Sequence, residues 1–256
     1  MPFGSVFSGF KYVNLSTADN INVRFINSFL TKLGFILFGV PHIGLRLRAK
    51  KILSNLQNKL GNVLDAGCGS GVYSFSLSKK AERIESIDID KDKIKYLNEV
   101  IKYNNINFSE GDICKLKFRD KEFDLIICSD VLEHVKCDNL AFSELSRVLK
   151  NGGTMLITVP YNSKKNYKNY KNYGHERPGY NEKNFAEWAD KNNLKIEKLE
   201  FYSSNAAEIA SDFLYKFNKS ALILAVLFYP LYLTAVISDF FFCKKSHEGM
   251  FLKIRR

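Results

Sequence analysis

Residues 62–160 alternate short apolar runs with longer amphipathic stretches. Short apolar runs bounded by turn residues predict buried strands, whereas apolar residues spaced three and four apart predict helices. Residues 91–102 follow the helical spacing, with Ile94, Leu97 and Ile101 on one face. Strands and helices that alternate in this way predict an α/β fold, a doubly wound and mostly parallel sheet with helices on both faces.

The same patterns give the positions of the individual elements. The predicted strands are Val63–Leu64, Ile84–Ile87, Phe123–Cys128, Thr154–Val159, Lys195–Phe201 and Met250–Ile254. The predicted helices are Tyr73–Lys79, Lys91–Lys102, Asn139–Leu149 and Glu182–Asn192. The turn Asn151-Gly152-Gly153 is typical of a helix end, so it separates the third helix from the strand that follows.

The pattern divides the chain into three predicted regions. Residues 1–60 form an N-terminal helical cap, residues 61–160 a ligand-binding core, and residues 161–256 the C-terminal part of the fold. Within the last region we expect a mobile loop over 161–180, because it holds a polar Asn-Tyr-Lys repeat, and an apolar helical insert over 206–243.

Composition and charge limit the class of protein. Of the 256 residues, 46% are hydrophobic and 25% charged, which excludes a wholly disordered chain. The five scattered cysteines form no Cys-x-x-Cys pair, which argues against a zinc ribbon or a disulfide framework and favours the reducing cytoplasm. We expect no secretory signal at the start of the chain. The net charge of +11 suits a nucleic acid or an anionic membrane, and equally the Lys- and Asn-rich composition typical of AT-rich genomes.

The clearest chemical signal is the loop Asp65-Ala66-Gly67-Cys68-Gly69-Ser70-Gly71 after the first predicted strand. Glycines let the backbone turn sharply and let a ligand lie against it. In such sheets, ligands bind outside the carboxyl ends of the strands. Asp88 ends the next predicted strand, where a carboxylate can accept hydrogen bonds from both hydroxyls of a ribose. The loop has no Lys-Ser/Thr pair, which excludes a nucleoside-triphosphate P-loop.

Together with Ile87-Asp88, Gly111-Asp112-Ile113 and the segment from Phe123 to Val135, this loop resembles the class I S-adenosylmethionine-dependent methyltransferases. The resemblance covers residues 60–160 and is strongest to the type 11 branch, which includes quinone-biosynthesis enzymes. It implies a Rossmann-like fold with a seven-stranded sheet whose last strand is antiparallel. It also implies S-adenosyl-L-methionine as cofactor and S-adenosyl-L-homocysteine as product.

The resemblance further implies a role for each matching residue. The glycine backbone would hold the methionine end of the cofactor, with Asp65 near its ammonium group and Asp88 on the ribose hydroxyls. Asp112 would accept from the adenine amino group, and Ile89 and Ile113 would sandwich the ring. Capping of a turn is the alternative role for each aspartate. The implied cofactor-binding residues are Asp65, Gly67, Cys68, Gly69, Gly71, Asp88, Ile89, Asp112, Ile113 and Ser129, the last beside the sulfonium.

Two histidines are candidate catalytic residues. Methyl transfer is an in-line displacement that depends mainly on alignment of the acceptor, and an oxygen acceptor also needs a base. His134 begins the segment after the strand Phe123–Cys128, and His175 lies in a loop that could swing over the site. The alternatives are a structural role for His134 at a helix start and a solvated loop position for His175.

The spacing Asp130-x-x-Glu133-His134 raises a metal hypothesis. On a helix these side chains would share one face and could bind a divalent cation, with His175 as a distant fourth ligand. The spacing is similar to the Glu-x-x-Glu-His motif of catechol-type quinone O-methyltransferases and of small-RNA 2′-O-methyltransferases. A divalent metal is therefore an additional hypothesis beside the main interpretation.

Residues 221–237 carry no charge and lie between pairs of lysines. As a helix they would extend about 26 Å, against about 30 Å for a hydrocarbon core. Pro230 interrupts the run, and a single span would separate Met250–Ile254 from the sheet it is expected to join. We predict peripheral membrane contact through residues 221–243 and a cytoplasmic, membrane-peripheral location. A buried substrate-cap helix and a true span are the alternatives.

The predicted function is methyl transfer to a small or lipid-linked acceptor, such as a polyprenyl-linked sugar or a quinone. RNA methylation is one alternative, since charge and the Lys-Asn-Tyr repeat suit a nucleic acid. Nucleic acid is the less favoured partner, because the chain has no recognisable RNA-binding appendage. The other alternative is a catalytically inert, membrane-associated binding module.

Overall fold

The computed structural model describes residues 43–163, 167–168, 170–202 and 248–256. The chain divides into two compact units, one of which comprises Lys51–Phe201 and Glu248–Arg256. Of the other unit, only residues 43–50 and Tyr202 are described. The predicted insert over 206–243 and most of the predicted N-terminal cap lie outside the described residues, and the three-region division stays a prediction. Among the described helices, none is long and apolar enough to cross a membrane.

The helices with described bounds are α1 (Ile43–Ser54), α2 (Val72–Leu77), α3 (Lys91–Val100), α4 (Asp138–Val148) and α5 (Glu182–Lys191). The strands are β1 (Leu60–Ala66), β2 (Ala81–Asp88), β3 (Ile106–Glu110), β4 (Phe123–Ser129), β5 (Leu149–Pro160), β6 (Lys195–Tyr202) and β7 (Gly249–Arg255). Two 3-10 helices cover Leu132–His134 and Tyr170–Tyr173.

All seven strands form one sheet in the order β3-β2-β1-β4-β5-β7-β6. β1 pairs in parallel with β2 and β4, β2 with β3, and β4 with β5. β7 runs antiparallel to β5. This topology confirms the predicted Rossmann-like, mostly parallel α/β fold with an antiparallel last strand.

The core explains why the central strands form where they do. Ile126, Ile127 and Cys128 are successive residues of β4 and all are buried. Because successive side chains of a strand face opposite sides of the sheet, both faces are covered at this point, as is typical of parallel sheets. α3 packs Ile94 and Leu97 inward, as its helical spacing predicts.

The topology places two loops at one edge of the sheet. β1 and β4 are neighbours in the sheet. From β1 the chain continues to β2 on one side of this pair, and from β4 it continues to β5 on the other side. Such a reversal opens a crevice at the carboxyl ends of the two strands. Residues 67–71 follow β1 and residues 130–134 follow β4, so both loops border that crevice.

The structure differs from the sequence expectations at three places. β3 was not predicted, because this short edge strand buries only Phe108 and shows little apolar pattern. Residues 151–153 lie within β5, which begins directly after α4, although their glycines predict a turn. Within the predicted loop 161–180, residues 170–173 form a 3-10 helix, and the mobility of that loop stays a prediction.

Candidate functional site

The glycine-rich loop turns between β1 and α2 in the left-handed backbone conformation. The φ angles of Gly67, Gly69 and Gly71 are 75°, 52° and 72°. A Cβ atom on Gly67 would also lie 2.4 Å from a methyl carbon of Val131, so this glycine packs directly against the loop after β4. A Cβ atom on Gly69 would meet no described atom within 4 Å. The backbone at Gly69 is therefore open to close approach by a ligand.

Asp88 connects this loop to the end of β2. Its Oδ2 accepts a hydrogen bond from the Gly69 N–H at 2.8 Å, and its Oδ1 accepts one from the Asp90 N–H at 3.0 Å. Two backbone donors fix the carboxylate, whose oxygens have lone pairs for further donors. Ile89 beside it is 73% exposed. A fixed carboxylate next to an exposed apolar side chain suits a ribose joined to a flat ring.

Asp65 lies below the loop and is only 2% exposed. Its Oδ2 accepts hydrogen bonds from both the N–H, at 3.0 Å, and the hydroxyl of Ser74 near the start of α2. Burial raises the pKa of Asp65 from 3.8 to about 6, although the Ser74 hydrogen bonds oppose the shift. The sequence predicted an aspartate beside an ammonium group, and the structure shows one oxygen of this carboxylate already bonded to α2.

We expect Asp65→Asn to raise the free energy of unfolding at pH 7 by about 1 to 3 kcal/mol. The amide oxygen accepts the Ser74 bonds without a buried charge. Because the folded pKa is above the unfolded value of 3.8, the stability from the protonated carboxyl is present below pH 4 and lost as pH rises through 6. Urea unfolding at pH 7 measures the difference. Asp124→Asn, which breaks a half-buried ion pair with Lys150, is the control and should not stabilise. A less stable Asp65→Asn protein would contradict this prediction.

The structure adds detail on three further predicted cofactor-binding residues, whose roles stay predictions. The Cys68 side chain is buried in a cluster that includes Leu97 and Phe108, so only its backbone faces the loop. Ile113 is 5% exposed within the main core, which leaves Ile89 as the exposed member of the predicted isoleucine pair. Asp112 is exposed, and its Oδ1 accepts from the Cys114 N–H at 2.8 Å. This contact is the turn-capping alternative considered for that aspartate.

Ser129 lies at the end of β4 in a chain of hydroxyl groups. Its Oγ is 3.2 Å from the Tyr73 hydroxyl and 2.8 Å from the Thr158 hydroxyl. Thr158 Oγ1 in turn donates to Asp130 Oδ1 at 3.0 Å. Asp130 has a left-handed backbone with φ of 53°, and its N–H donates to the Thr158 carbonyl. Asp130 is thus bonded to β5.

The predicted metal-ligand set is therefore wrong in one member. Residues 130–134 do not form one helical face, because only Leu132–His134 is helical and Asp130 bonds to Thr158. Instead, the ligand atoms of Glu133, His134 and His175 all lie within 4.8 Å of one another. His175, expected as a distant ligand, takes the place of Asp130.

The two predicted catalytic histidines lie together. Their ring centroids are 4.7 Å apart, in an edge-to-face arrangement at 89°. His134 Nδ1 is 3.1 Å from the Gly174 carbonyl oxygen. Since a carbonyl only accepts, Nδ1 is the donor in this contact, and in that tautomer the lone pair lies on Nε2. Partial burial, and then the neighbouring His134, lower the pKa of His175 to about 4. His175 is therefore neutral at pH 7 and holds a proton poorly.

Sequence reasoning missed a cluster of polar residues close in the chain to these histidines. Asp138, Arg177 and Tyr180 form a cluster between the loop after β5 and the start of α4. The one signal in the sequence is the charged and aromatic character of residues 176–180 directly after His175. No local pattern shows which distant segment they contact.

Comparison with known proteins shows the family to which the chain belongs. The family described as "Methyltransferase domain" matches residues 57–205. A ubiquinone biosynthesis O-methyltransferase from Rickettsia akari is 30% identical over 138 residues, which cover 51% of this chain and 55% of the relative. The chain spans about half the length of the curated relatives it matches, with 38%, 55% and 53% for three of them.

Solved structures show the same fold. An S-adenosylmethionine-dependent methyltransferase from Mesorhizobium loti has a TM-score of 0.57 at 14% identity, covering 82% of this chain and 97% of its own. Phosphoethanolamine N-methyltransferase 2 from Haemonchus contortus, in complex with S-adenosyl-L-methionine, has a TM-score of 0.57 at 20% identity, covering 89% and 56%.

Proposed function

Because this chain belongs to the methyltransferase-domain family, within the class I S-adenosylmethionine-dependent methyltransferases of the type 11-like group, we propose that it methylates a hydroxyl group of a small or lipid-linked acceptor. One observation carries the proposal. The Asp88-anchored glycine loop and the segment that bears His134 meet at the same edge of the sheet, where Val131 packs against Gly67.

The residues at this edge fit the cofactor. When bound, S-adenosyl-L-methionine supplies an electrophilic methyl group whose leaving group is a neutral thioether. The open backbone at Gly69 allows close approach, Asp88 can accept from two ribose hydroxyls, and Ile89 provides an apolar surface for adenine. Ser129 and the hydroxyls bonded to it lie at the end of β4, next to the loop that carries His134.

His134 is the residue that acts on the acceptor. Its Nε2 lone pair would take the proton of the acceptor hydroxyl, while the cofactor held by the glycine loop and Asp88 would supply the methyl group to that oxygen and leave as the neutral thioether. His175 serves this step through contact with the His134 ring, because its own low pKa makes it a poor proton acceptor. The O-methyltransferase relatives support an oxygen acceptor.

The test of the proposal is incubation of the purified protein with methyl-labelled S-adenosyl-L-methionine and fractionated extract from its source. We expect label in a lipid or small-molecule fraction, and mild alkali should not release it, because methylation of a hydroxyl gives a stable methyl ether. Label confined to RNA would support the RNA alternative instead. No transfer into any fraction would contradict the proposal.

A second candidate uses the same residues with a divalent cation. Glu133, His134 and His175 offer one carboxylate and two imidazoles within 4.8 Å of one another. This nitrogen and oxygen donor set suits zinc or manganese, which would orient the acceptor hydroxyl in place of base catalysis. Activity that is lost on dialysis against EDTA and returns with added metal would favour this candidate, and full activity in EDTA would exclude it.

A lipid-linked acceptor is supported by the sequence outside the described residues. The uncharged run 221–237 is followed by Lys244 and Lys245, a composition that suits an anionic membrane surface. We expect the wild-type protein to float with vesicles containing anionic lipid, and a variant lacking residues 221–243 to remain in the dense fraction. S-adenosyl-L-homocysteine binding by the deletion variant verifies its fold. Equal flotation of both proteins would contradict this membrane contact.

A further inference from the structure

One cluster of hydrogen bonds holds the loop after β5 against the segment between β4 and α4. Arg177 donates to the Val135 carbonyl at 2.5 Å, to the Lys136 carbonyl at 3.1 Å and to the Asp138 carboxylate. The Tyr180 hydroxyl donates to the same Asp138 oxygen at 2.9 Å. Asp138 is 7% exposed and Tyr180 is buried, so the cluster is largely shielded from water.

The main effect of such a cluster is on the arrangement of the chain, and its effect on stability is small. Removing a carboxylate from water costs much of what its ion pair returns, so a buried pair contributes little net stability but can fix one arrangement. The planar guanidinium suits this role, because its fork of donors reaches two carbonyls and a carboxylate at once. The cluster therefore fixes where residues 174–180 lie.

His175 lies between fixed points of that loop. Next to it, the Glu176 N–H donates to the Glu133 carbonyl at 2.8 Å, and the Gly174 carbonyl accepts from His134 Nδ1. Farther along, the Tyr180 N–H donates to the Pro160 carbonyl at the end of β5 at 2.9 Å. The contacts that place His175 against His134 thus belong to the same docked loop as Arg177.

We propose that Arg177 and Asp138 are positioning residues for the histidine pair: their contact docks residues 174–180, which seats His175 on the His134 ring and keeps the Gly174 carbonyl on His134 Nδ1. The inference rests on the proposed function in one respect, namely that the histidine pair acts on the methyl acceptor. The structural effect of docking the loop can be measured without any methyl acceptor. When the loop is released, His134 loses the Gly174 carbonyl, the hydrogen-bond acceptor that fixes its proton on Nδ1. His175 then becomes exposed to water.

Nitrogen-15 NMR of the full-length, histidine-labelled protein tests this directly, since the shifts of the ring nitrogens report the tautomer. The signals of His134 and His175 are assigned with single His→Gln variants. In the wild type we expect His134 in the Nδ1–H form, because its Nδ1 faces the Gly174 carbonyl.

The informative variant is Arg177→Lys, which keeps a positive charge beside Asp138 but loses the guanidinium fork. We expect His134 to become a mixture of tautomers, because the Gly174 carbonyl no longer stays on its Nδ1. Arg177→Ala should show the same change more strongly. Arg83→Lys is the matched control, because Arg83 pairs with Glu122 on another part of the sheet and should leave both histidines unchanged.

S-adenosyl-L-homocysteine binding in the same samples verifies the fold and separates the two ideas. Arg177→Lys protein that binds this ligand as the wild type does, with His134 still in one tautomer, would overturn the positioning role. A wild-type protein that fails to bind the ligand would overturn the proposed function, while the histidine signals would still report on the docked loop.

Discussion

Replacing Asp88 with alanine should weaken S-adenosyl-L-homocysteine binding by about 100-fold or more. The substitution removes the acceptor for the ribose hydroxyls, and hydrogen bonds to a charged group contribute roughly 1.5 to 3 kcal/mol each. The loss of two such bonds, about 3 kcal/mol or more, corresponds to at least a hundredfold in Kd. It also frees the Gly69 N–H, so the glycine loop loses one of its contacts with β2 and keeps those of the Gly67 and Cys68 N–H groups with the Ile87 carbonyl. Isothermal titration calorimetry at pH 7.5 measures the change.

Asp92→Ala is the matched control for this prediction. Asp92 is an exposed aspartate in the first turn of α3, close in sequence to Asp88, and removal of its side chain changes the net charge equally. We expect its affinity for the ligand to stay within about twofold of the wild type, since an exposed helix charge contributes little at this distance. If the Asp88→Ala protein binds the ligand as tightly as Asp92→Ala does, Asp88 is not a cofactor-binding residue.

His134→Gln should lower the rate of methyl transfer by about 100- to 10,000-fold, the usual contribution of a general base. Glutamine keeps a similar length and can donate to the Gly174 carbonyl, so the loop stays docked while the basic nitrogen is lost. The affinity for S-adenosyl-L-homocysteine should stay within about twofold. Single-turnover transfer of labelled methyl to the fraction that accepts it measures the rate.

His175→Gln is the comparison for the second prediction. Because His175 has a pKa of about 4 and is not the proton acceptor, its replacement should reduce the rate much less than that of His134. Equal losses for both variants, together with inhibition by EDTA, would favour the metal-bound arrangement of Glu133, His134 and His175. Full activity of His134→Gln would exclude both roles for this residue.

The sheet and the glycine loop could be predicted because their signals are local. A buried parallel strand such as β4 is an apolar run, and Gly67 must adopt a positive φ where a side chain would strike Val131. β3 gave no such signal, since only one of its residues is buried. The turn predicted at residues 151–153 was wrong, because glycines that favour a turn are also tolerated inside a strand with an irregular register, as in β5.

The roles of single side chains depended on partners far away in the chain. Whether Asp65 faces a ligand or bonds to Ser74 follows from the path of α2, and the spacing of charges alone does not contain it. Likewise, Asp130 was expected beside Glu133 because helical spacing was assumed for a segment whose backbone is left-handed at Asp130. His175 lies against His134 in the same loop whose Arg177 contacts Asp138, and the sequence offers no local sign of that contact.

A crystal structure of the complex with S-adenosyl-L-homocysteine would examine the central claim most directly. We expect the ribose hydroxyls within hydrogen-bonding distance of the Asp88 carboxylate, the adenine ring against Ile89, and the sulfur atom between the glycine loop and Ser129. The ligand bound elsewhere, or a crevice between β1 and β4 closed by side chains with Asp88 turned away, would contradict the account.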